Sequence, residues 1–446
     1  MFRRILIANR GEVAARVLRT CRQLGVETVA VCSAADRDLQ YLKDADRVVC
    51  IGAAQASKSY LDIDAILEAA KSTGCSAIHP GWGFLSENQE LSARAAALGI
   101  AFIGPPAKLL WTFGDKARAR DAARAVGLPV IPGSDGVLQS PEQATGVAEK
   151  MGYPVLLKAV SGGGGRGMRR VDSAADLDEA WNSATAEAES AFGDGRLYLE
   201  KLIENGRHVE FQVVVDRWGT AIHLGERECS VQRRHQKLIE ESPCPVVDQE
   251  MREEMGSRVA QALGALGYEG VGTVEMLRDQ DGAIYFMEVN GRLQVEHPVT
   301  ECVTGVDLVE LQLRIAAGQR LPISQSDVAT SGHAIECRIN AEDPGQDFKP
   351  CPGTISVLEL PTGEGVRVDT HLSAGDRISP HYDSLLLKLI VHGPDRETAI
   401  ERMRKALSEL VIEGVDTTTE FHGTVLTNSE FCSGTYDTGL LGRMER

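Results

Sequence analysis

The run Tyr285-Phe286-Met287-Glu288-Val289-Asn290-Gly291-Arg292-Leu293-Gln294-Val295-Glu296-His297-Pro298 alternates polar and apolar side chains. That is the period of a β-strand, in which successive side chains point to opposite faces. Extended, it puts Glu288, Asn290, Arg292, Gln294 and Glu296 on one side. Two carboxylates, two amides and a guanidinium are costly on a dry face without partners, so a metal, an anion or both belong there. A solvated face on an edge strand is the competing reading, because Met287, Val289, Leu293 and Val295 supply only half a core.

Working outward, Glu275 closes a second alternating stretch, Val271-Gly272-Thr273-Val274-Glu275-Met276. With Glu288 in the next strand, a two-carboxylate site across neighbouring strands is geometrically easy, and Asn290 lies one strand repeat further. All-oxygen ligation of this kind suits Mg²⁺ bridging nucleotide phosphates. Zinc does not fit, since the ten histidines include no H-x-H or H-E-x-x-H pair and the ten cysteines no C-x-x-C pair.

Lys158 leads into Ala159-Val160-Ser161-Gly162-Gly163-Gly164-Gly165-Arg166-Gly167-Met168. A glycine-rich hairpin tip brings backbone N–H groups close to phosphate oxygens without Cβ clashes. It is not a Walker A loop, because the lysine precedes the glycines and no G-K-[ST] follows. A lysine ending the preceding strand favours a phosphate-closing lid over a plain surface loop. Lys116, at a helix start, is a second candidate phosphate cation or simply a solvated lysine. Glu200-Lys201-Leu202-Ile203 ends a strand and offers a carboxylate and backbone groups to a purine edge, a weak signal alone. His208 reads equally as a structural histidine or a ligand. Gln232-Arg233-Arg234-His235-Gln236-Lys237 gathers cations in an acidic chain; a solvated charge run is the ordinary explanation, but its flanks Cys229-Ser230-Val231 and Leu238-Ile239 argue against a fully exposed loop.

With 446 residues the chain calls for two or three packed domains. Its formal charge of -17, from 47 basic and 64 acidic residues, argues against a general nucleic-acid or membrane-surface binder. The cysteines read as reduced, mostly buried thiols, no signal peptide or membrane-length apolar run is visible, and the expected location is cytoplasmic. Ile5 to Ala8, Thr28 to Cys32, Arg47 to Ile51 and Ser76 to His79 read as buried strands. Helical spacing from Val13 to Leu24 and a helix over Leu61 to Ala70 complete an open parallel sheet with covering helices. The turn Asn9-Arg10-Gly11-Glu12 lacks G-x-G-x-x-G, which speaks against a dinucleotide site. His79-Pro80-Gly81-Trp82-Gly83-Phe84-Leu85-Ser86-Glu87 follows a strand, where open sheets place ligands, though a glycine-punctuated packing loop explains it as well. Further on, a helix over Lys116 to Ala125, a strand from Pro154 to Ala159 and alternation in Val209 to Val215 and Val271 to Met276 suggest a largely antiparallel sheet. Gly318 to Ser331 resembles a linker into a last domain that ends with a helix over Thr398 to Leu410.

Taken together, these segments resemble the biotin carboxylases, the ATP-grasp subunits of biotin-dependent carboxylases. The blocks His79 to Glu87, Lys158 to Met168, Gln232 to Lys237, Glu288 to Glu301 and Gly332 to Asp343 carry the resemblance, which covers essentially the whole chain. It implies an α/β and α+β ATP-grasp fold: an N-terminal open parallel domain over 1–114, an ATP-grasp domain over 115–329 with a glycine-rich lid at about 130–203, and a C-terminal mixed domain over 330–446. It also implies a ligase in which ATP and bicarbonate give carboxyphosphate and ADP, and the carboxyl group then passes to biotin on a carrier protein. Lys116, Lys158, Gly164, Gly165, Glu200, Lys201, Leu202, Ile203, His208, Gln232 and His235 would bind ATP. Glu275 and Glu288 would hold Mg²⁺ or Mn²⁺, with Asn290 on a second ion. Lys237, Arg292, Gln294 and the Val295 backbone would bind bicarbonate, Glu296 would be the general base, and Arg338 would stabilise the ureido oxygen of biotin.

Four positions depart from the family pattern. Trp82 replaces a tyrosine in the block associated with the biotin site, Gly291 replaces a side-chain residue, Leu202 an aromatic and Leu387 a small residue. Gly291 would weaken a strand by about 0.5–1 kcal/mol relative to alanine. The chain lacks an Ala-Met-Lys-Met segment, so biotin is expected on another polypeptide. The family implies a homodimer with a biotin carboxyl carrier protein and carboxyltransferase subunits as partners. The expected pathway is the first half-reaction of acetyl-CoA carboxylase. Three alternatives remain open: the corresponding component of a propionyl-CoA, other acyl-CoA or pyruvate carboxylase, a catalytically weak binding protein of the same assembly, and another ATP-grasp ligase.

Overall fold

Short apolar runs separated by amphipathic helices form parallel layers, whereas longer alternating runs joined by tight turns form antiparallel ones. Both occur in the computed structural model, which describes residues 1–161 and 167–444. The first hundred residues build a five-stranded parallel sheet in the order Arg47–Gly52, Glu27–Ser33, Arg4–Ile7, Ala77–His79, Ala101–Phe102. Ile5, Leu6 and Ile7 are wholly buried at its centre. Arg47–Gly52 differs from the buried strand expected of it: it lies at the sheet edge and is largely exposed.

An eight-stranded antiparallel sheet dominates the rest. Its order is Ile284–Asn290, Gly270–Arg278, Arg207–Val215, Ala221–Arg233, Gln236–Ser242, His333–Asn340, Leu385–Gly393, Val366–Thr370. It runs without a break through strands on both sides of residue 330. The alternation in Arg207–Val215 does not mark a half-exposed strand, for every residue is buried. Val209, Phe211, Val213 and Val215 enter the apolar core, while His208, Glu210 and Gln212 turn the other way into a buried polar layer.

A small antiparallel sheet of Met168–Val171, Val155–Ala159 and Leu197–Lys201 stands apart from it. Helices Pro141–Met151 and Leu177–Phe192 cover this sheet and bury Leu157, Leu177 and Leu199. The chain does not end on the helix expected over Thr398 to Leu410. That helix, Arg396–Glu409, is followed by strand Val411–Glu413 and helices Thr419–Val425, Ser429–Ser433 and Leu440–Met444. These bury Phe431, Tyr436 and Leu440 against the same core as Leu387, which is fully enclosed and acts as packing.

Candidate active site

Register builds the site. Glu288 pairs across the sheet with Glu275, Glu275 with Glu210, and Glu210 with Arg227. A charged row therefore crosses four strands, and paired residues of an antiparallel ladder share a face. Arg227, fully buried, answers Glu210 at 2.5 Å and also reaches Gln212, Thr273 and Thr300.

The opening stretch is a strand only to Asn290. Arg292, Gln294 and Glu296 lie in the following loop rather than on an alternating strand face. A bulge opposite Glu275–Met276 also breaks the expected alternation, and Met287 lines the cavity instead of the core. The strand stops for a packing reason. The Gly291 N–H donates to Glu87 Oε1 at 3.0 Å, and a Cβ on Gly291 would stand 3.0 Å from Pro105 Cγ and 3.3 Å from Leu110 Cδ2. The glycine is thus a close-approach position, not a weak point in a strand. Glu87 Oε2 then takes the Arg292 guanidinium at 3.0 Å, which in turn donates to Asn290 Oδ1 at 2.8 Å and Gln294 Oε1 at 2.9 Å. Helix His297–Thr304 begins directly after Glu296, with Pro298 in its first turn, where a missing N–H costs nothing.

Lys237 is the hub. Its ammonium lies 2.5 Å from Glu210, 2.8 Å from Glu275 and 2.6 Å from Glu296. Burial would drive the lysine neutral, yet Glu210, Glu275 and Glu296 hold its pKa well above the ordinary value. The carboxylates respond in kind. Burial opposes ionisation of Glu296, but Lys237, Arg338 and Arg227 keep its pKa well below the usual range. For Glu275, Lys237 and His208 outweigh burial in the same direction. Arg338, opposite on strand His333–Asn340, bonds Glu240 at 2.6 Å and Glu296 at 2.9 Å.

Around this floor lies a cavity of about 440 Å³. It brings together Trp82, Lys116, Lys158, His208, Gln232, His235, Lys237, Glu275, Glu288, Asn290, Arg292, Gln294, Val295, Glu296 and Arg338. A second cavity of about 380 Å³ shares Lys158, His208, Gln232 and His235 with it and adds Glu200, Lys201, Leu202 and Ile203. Leu156, Leu277 and Ile131 give that second space an apolar wall beside Leu202. Gly164 and Gly165 lie outside the described residues. Lys158 donates to Glu200 Oε2 at 2.7 Å, whereas among the described residues Lys116 has only Glu288 within 4.0 Å. Burial pulls the Lys116 pKa down, with Glu288 resisting. His235 sits with Arg234 at a hairpin tip, both at positive φ, and Arg233 and Arg234 are tied to Asp347. Trp82 accepts from Asn9 through its carbonyl at 2.7 Å, while its indole N–H has no partner among the described residues.

Glu288 and Glu275 offer hard oxygen donors facing one cavity. Burial and the neighbouring Glu275 push the Glu288 pKa up, the response of a carboxylate short of positive charge, so the pair fits a divalent cation on chemical grounds. Asn290 is oriented with its amide on Glu275 and its oxygen on Arg292. Sequence reasoning missed Glu87, Glu210, Arg227 and Glu240. For Glu210 the only local signal was a charge between apolar strand neighbours, as in Val209-Glu210-Phe211, whereas Glu87 lies in a turn and Arg227 among other charges, where nothing local marks them.

A domain that stacks a parallel α/β layer against an antiparallel sheet, with cations and carboxylates in the cleft and a separate small sheet beside it, is the architecture of an ATP-grasp enzyme. Three family models match in series: "Biotin carboxylase, N-terminal domain" over residues 1–110, "Carbamoyl-phosphate synthase L chain, ATP binding domain" over 115–324, and "Biotin carboxylase C-terminal domain" over 336–443. The chain is 51% identical to a biotin carboxylase of Pseudomonas aeruginosa, over 97% of this chain and 96% of the relative. It is 49% identical to a pyruvate carboxylase subunit of Methanothermobacter thermautotrophicus, over 100% of this chain and 91% of that one. Among solved structures, the biotin carboxylase domain dimer of Hydrogenobacter thermophilus 2-oxoglutarate carboxylase, in complex with MgADP, ADP and bicarbonate, superposes with a TM-score of 0.97 at 46% identity, covering 100% of this chain and 98% of the other. The chain belongs to the biotin carboxylase family. Among the described residues, no helix is long and apolar enough to cross a membrane.

Proposed function

We propose that this chain uses ATP to join bicarbonate to the ureido nitrogen of biotin, releasing ADP and phosphate. The observation that carries the reading is the position of Glu296, clamped between Lys237 at 2.6 Å and Arg338 at 2.9 Å on the wall of the cavity that also receives Arg292, Glu288 and Lys116. An ammonium has three N–H donors, and Lys237 spends all three on carboxylates. Bicarbonate therefore has to displace one of them. As it takes Lys237, and biotin takes Arg338, the cations that hold Glu296 ionised are withdrawn and its proton affinity rises. Glu296 becomes an effective base only when both substrates are in place.

In this reading Glu296 accepts the bicarbonate proton, and a bicarbonate oxygen attacks the γ-phosphorus of ATP, giving carboxyphosphate and ADP. Arg292, held flat by Glu87, Asn290 and Gln294, faces the charge that develops. Lys116, Lys158 and His235 take the phosphates. Mg²⁺ or Mn²⁺ held by Glu275 and Glu288, with Asn290 beside a second ion, would neutralise the phosphate oxygens. Leu202 and its neighbours take the adenine, with residues 130–203 as the lid, 1–114 the N-terminal unit, 115–329 the ATP-grasp unit and 330–446 the C-terminal unit.

Biotin would arrive on a separate carrier protein, a carboxyltransferase would use the product, and the chain would work as a homodimer. We assign it to acetyl-CoA carboxylase; its likeness to a pyruvate carboxylase component keeps a keto-acid acceptor as the second reading. The test is ADP release measured with and without bicarbonate and free biotin. Stimulation by both is expected. ATP binding without stimulation by either would overturn the proposal in favour of a binding protein without turnover.

A further inference from the structure

The segment that carries Gln294, Val295 and Glu296 belongs to no strand or helix, so its backbone groups need partners from elsewhere. Two fully buried side chains supply them. His297 Nδ1 lies 2.8 Å from the Gln294 carbonyl oxygen, and Lys388 Nζ donates to the Val295 carbonyl oxygen at 2.9 Å. These oxygens belong to the two peptide planes that flank Val295. The Gln294 plane also contains the Val295 N–H, and the Val295 plane contains the N–H of Glu296. Fixing both planes fixes φ and ψ at Val295 and the position of the Glu296 Cα from which its side chain leaves.

Lys388 is an expensive choice for this place. It pairs in register with Arg338 on the adjacent strand, and like charges directly opposite are destabilising. It has no exposure at all, so its charge needs anions. Glu12, from helix Gly11–Gln23 at the other end of the chain, lies 2.8 Å away, and Asp369 pairs with Lys388 from the other side. An apolar residue would need neither. What the lysine adds is a donor long enough to reach beneath the loop. His297 is enclosed too; burial, with Lys388 and Arg16 nearby, holds its pKa well below the ordinary imidazole range, so the neutral ring presents its Nδ1 proton to the Gln294 oxygen.

We infer that Lys388 and His297 are positioning residues that pin the two peptide planes around Val295, so that the Val295 N–H and the Glu296 carboxylate meet bicarbonate in a preset geometry. This rests on the bicarbonate role proposed above for that segment. Supporting groups of this kind act through the residues they orient.

The experiment compares Glu12→Gln, which keeps the Lys388 donor, with Glu12→Gln/Lys388→Met, which removes the donor and keeps the charge balance of the pair. Two readouts are taken: the KM for bicarbonate beside the KM for ATP, and hydrogen exchange of peptides covering 291–300. The double variant should raise the bicarbonate KM about tenfold, leave the ATP KM unchanged and speed exchange of the segment relative to the rest of the protein; the single variant, which loses an anion beside Lys388 but keeps its donor, should leave both KM values unchanged and show no exchange increase confined to the segment. His297→Leu and His297→Asn form an independent pair, since asparagine keeps a donor where Nδ1 stands and should rescue what leucine loses. Equal behaviour within each pair would overturn the inference. If the unaltered protein shows no bicarbonate-dependent ADP release, the functional proposal fails, and the exchange data alone still decide whether the planes are pinned.

Discussion

The two halves of the cleft treat charge in opposite ways. On the floor, Lys237, Glu210, Glu275, Glu296 and Arg338 form a closed network with contacts of 2.5 to 2.9 Å. On the nucleotide side, Lys116 has one carboxylate at 4.0 Å, and its charge and that of Lys158 both bear on His235. The floor pairs its cations with carboxylates at close range, whereas the nucleotide wall pairs Lys158 with Glu200 at 2.7 Å and leaves Lys116 with only the longer contact to Glu288 among the described residues. A saturated network fixes geometry. An unsaturated one stores affinity.

Breaking the floor at its base should have the largest effect. Glu296→Gln keeps the shape but removes the proton acceptor, so bicarbonate-dependent ADP formation should fall by about 10²–10⁴-fold, while ATP affinity measured by calorimetry stays near that of the parent. Near-normal turnover would remove Glu296 from the role of base. Next comes Lys237→Met, which strands Glu210, Glu275 and Glu296 without their shared cation. Removing one partner of a buried ionic group costs about 3–5 kcal/mol, to be read as a lower denaturation midpoint at unchanged m-value. A loss below about 1 kcal/mol would mean that the three carboxylates do not depend on this lysine.

The same contrast explains how much was legible in the sequence. Parallel layers, the antiparallel sheet and the cavity-facing roles of Glu275, Glu288 and Lys158 follow from local period and residue type, which act over a few positions. The floor's supports do not. Glu87 reaches Arg292 across 205 positions of chain, and Glu12 meets Lys388 from the opposite end of the sequence, so neither contact leaves a local signature. The break after Asn290 was hidden for a related reason: alternation in Gly291 to Glu296 mimics a strand, and only the approach of Pro105 and Leu110 to Gly291 shows why the strand must end. In the same way, Arg207–Val215 alternates as a half-exposed strand would, but its polar face is buried because Arg227 and Lys237 are there to meet it.

The nucleotide side should respond more gently and without loss of fold. Lys116→Gln removes a partly exposed cation whose contact among the described residues is Glu288 at 4.0 Å, so stability should change by less than about 0.5 kcal/mol. ATP affinity should fall by about ten- to a hundredfold, the range of one charge-assisted hydrogen bond. A large loss of stability would place Lys116 with the floor instead.

The smallest effect is the sharpest test of an unsaturated wall. Burial, then Lys116 and Lys158, lowers the His235 pKa below its ordinary value of 6.5. A histidine whose folded pKa is lowered contributes nothing at high pH and opposes folding once pH drops below 6.5, because only the unfolded state then gains the proton freely. Bound phosphates reverse the sign. They place negative charge beside the ring, raise its pKa and couple ATP binding to proton uptake below about pH 6.5. Because His235 is exposed, the effect is modest: ATP affinity should rise roughly two- to fivefold from pH 7.5 to 6.0 relative to His235→Gln, whose own change subtracts the titration of ATP itself. Calorimetry in two buffers of different ionisation enthalpy measures the proton uptake directly. Equal uptake by the parent and by His235→Gln would mean that the phosphates lie too far from His235 to feel it, and that the cations on this side do not act as one anion site.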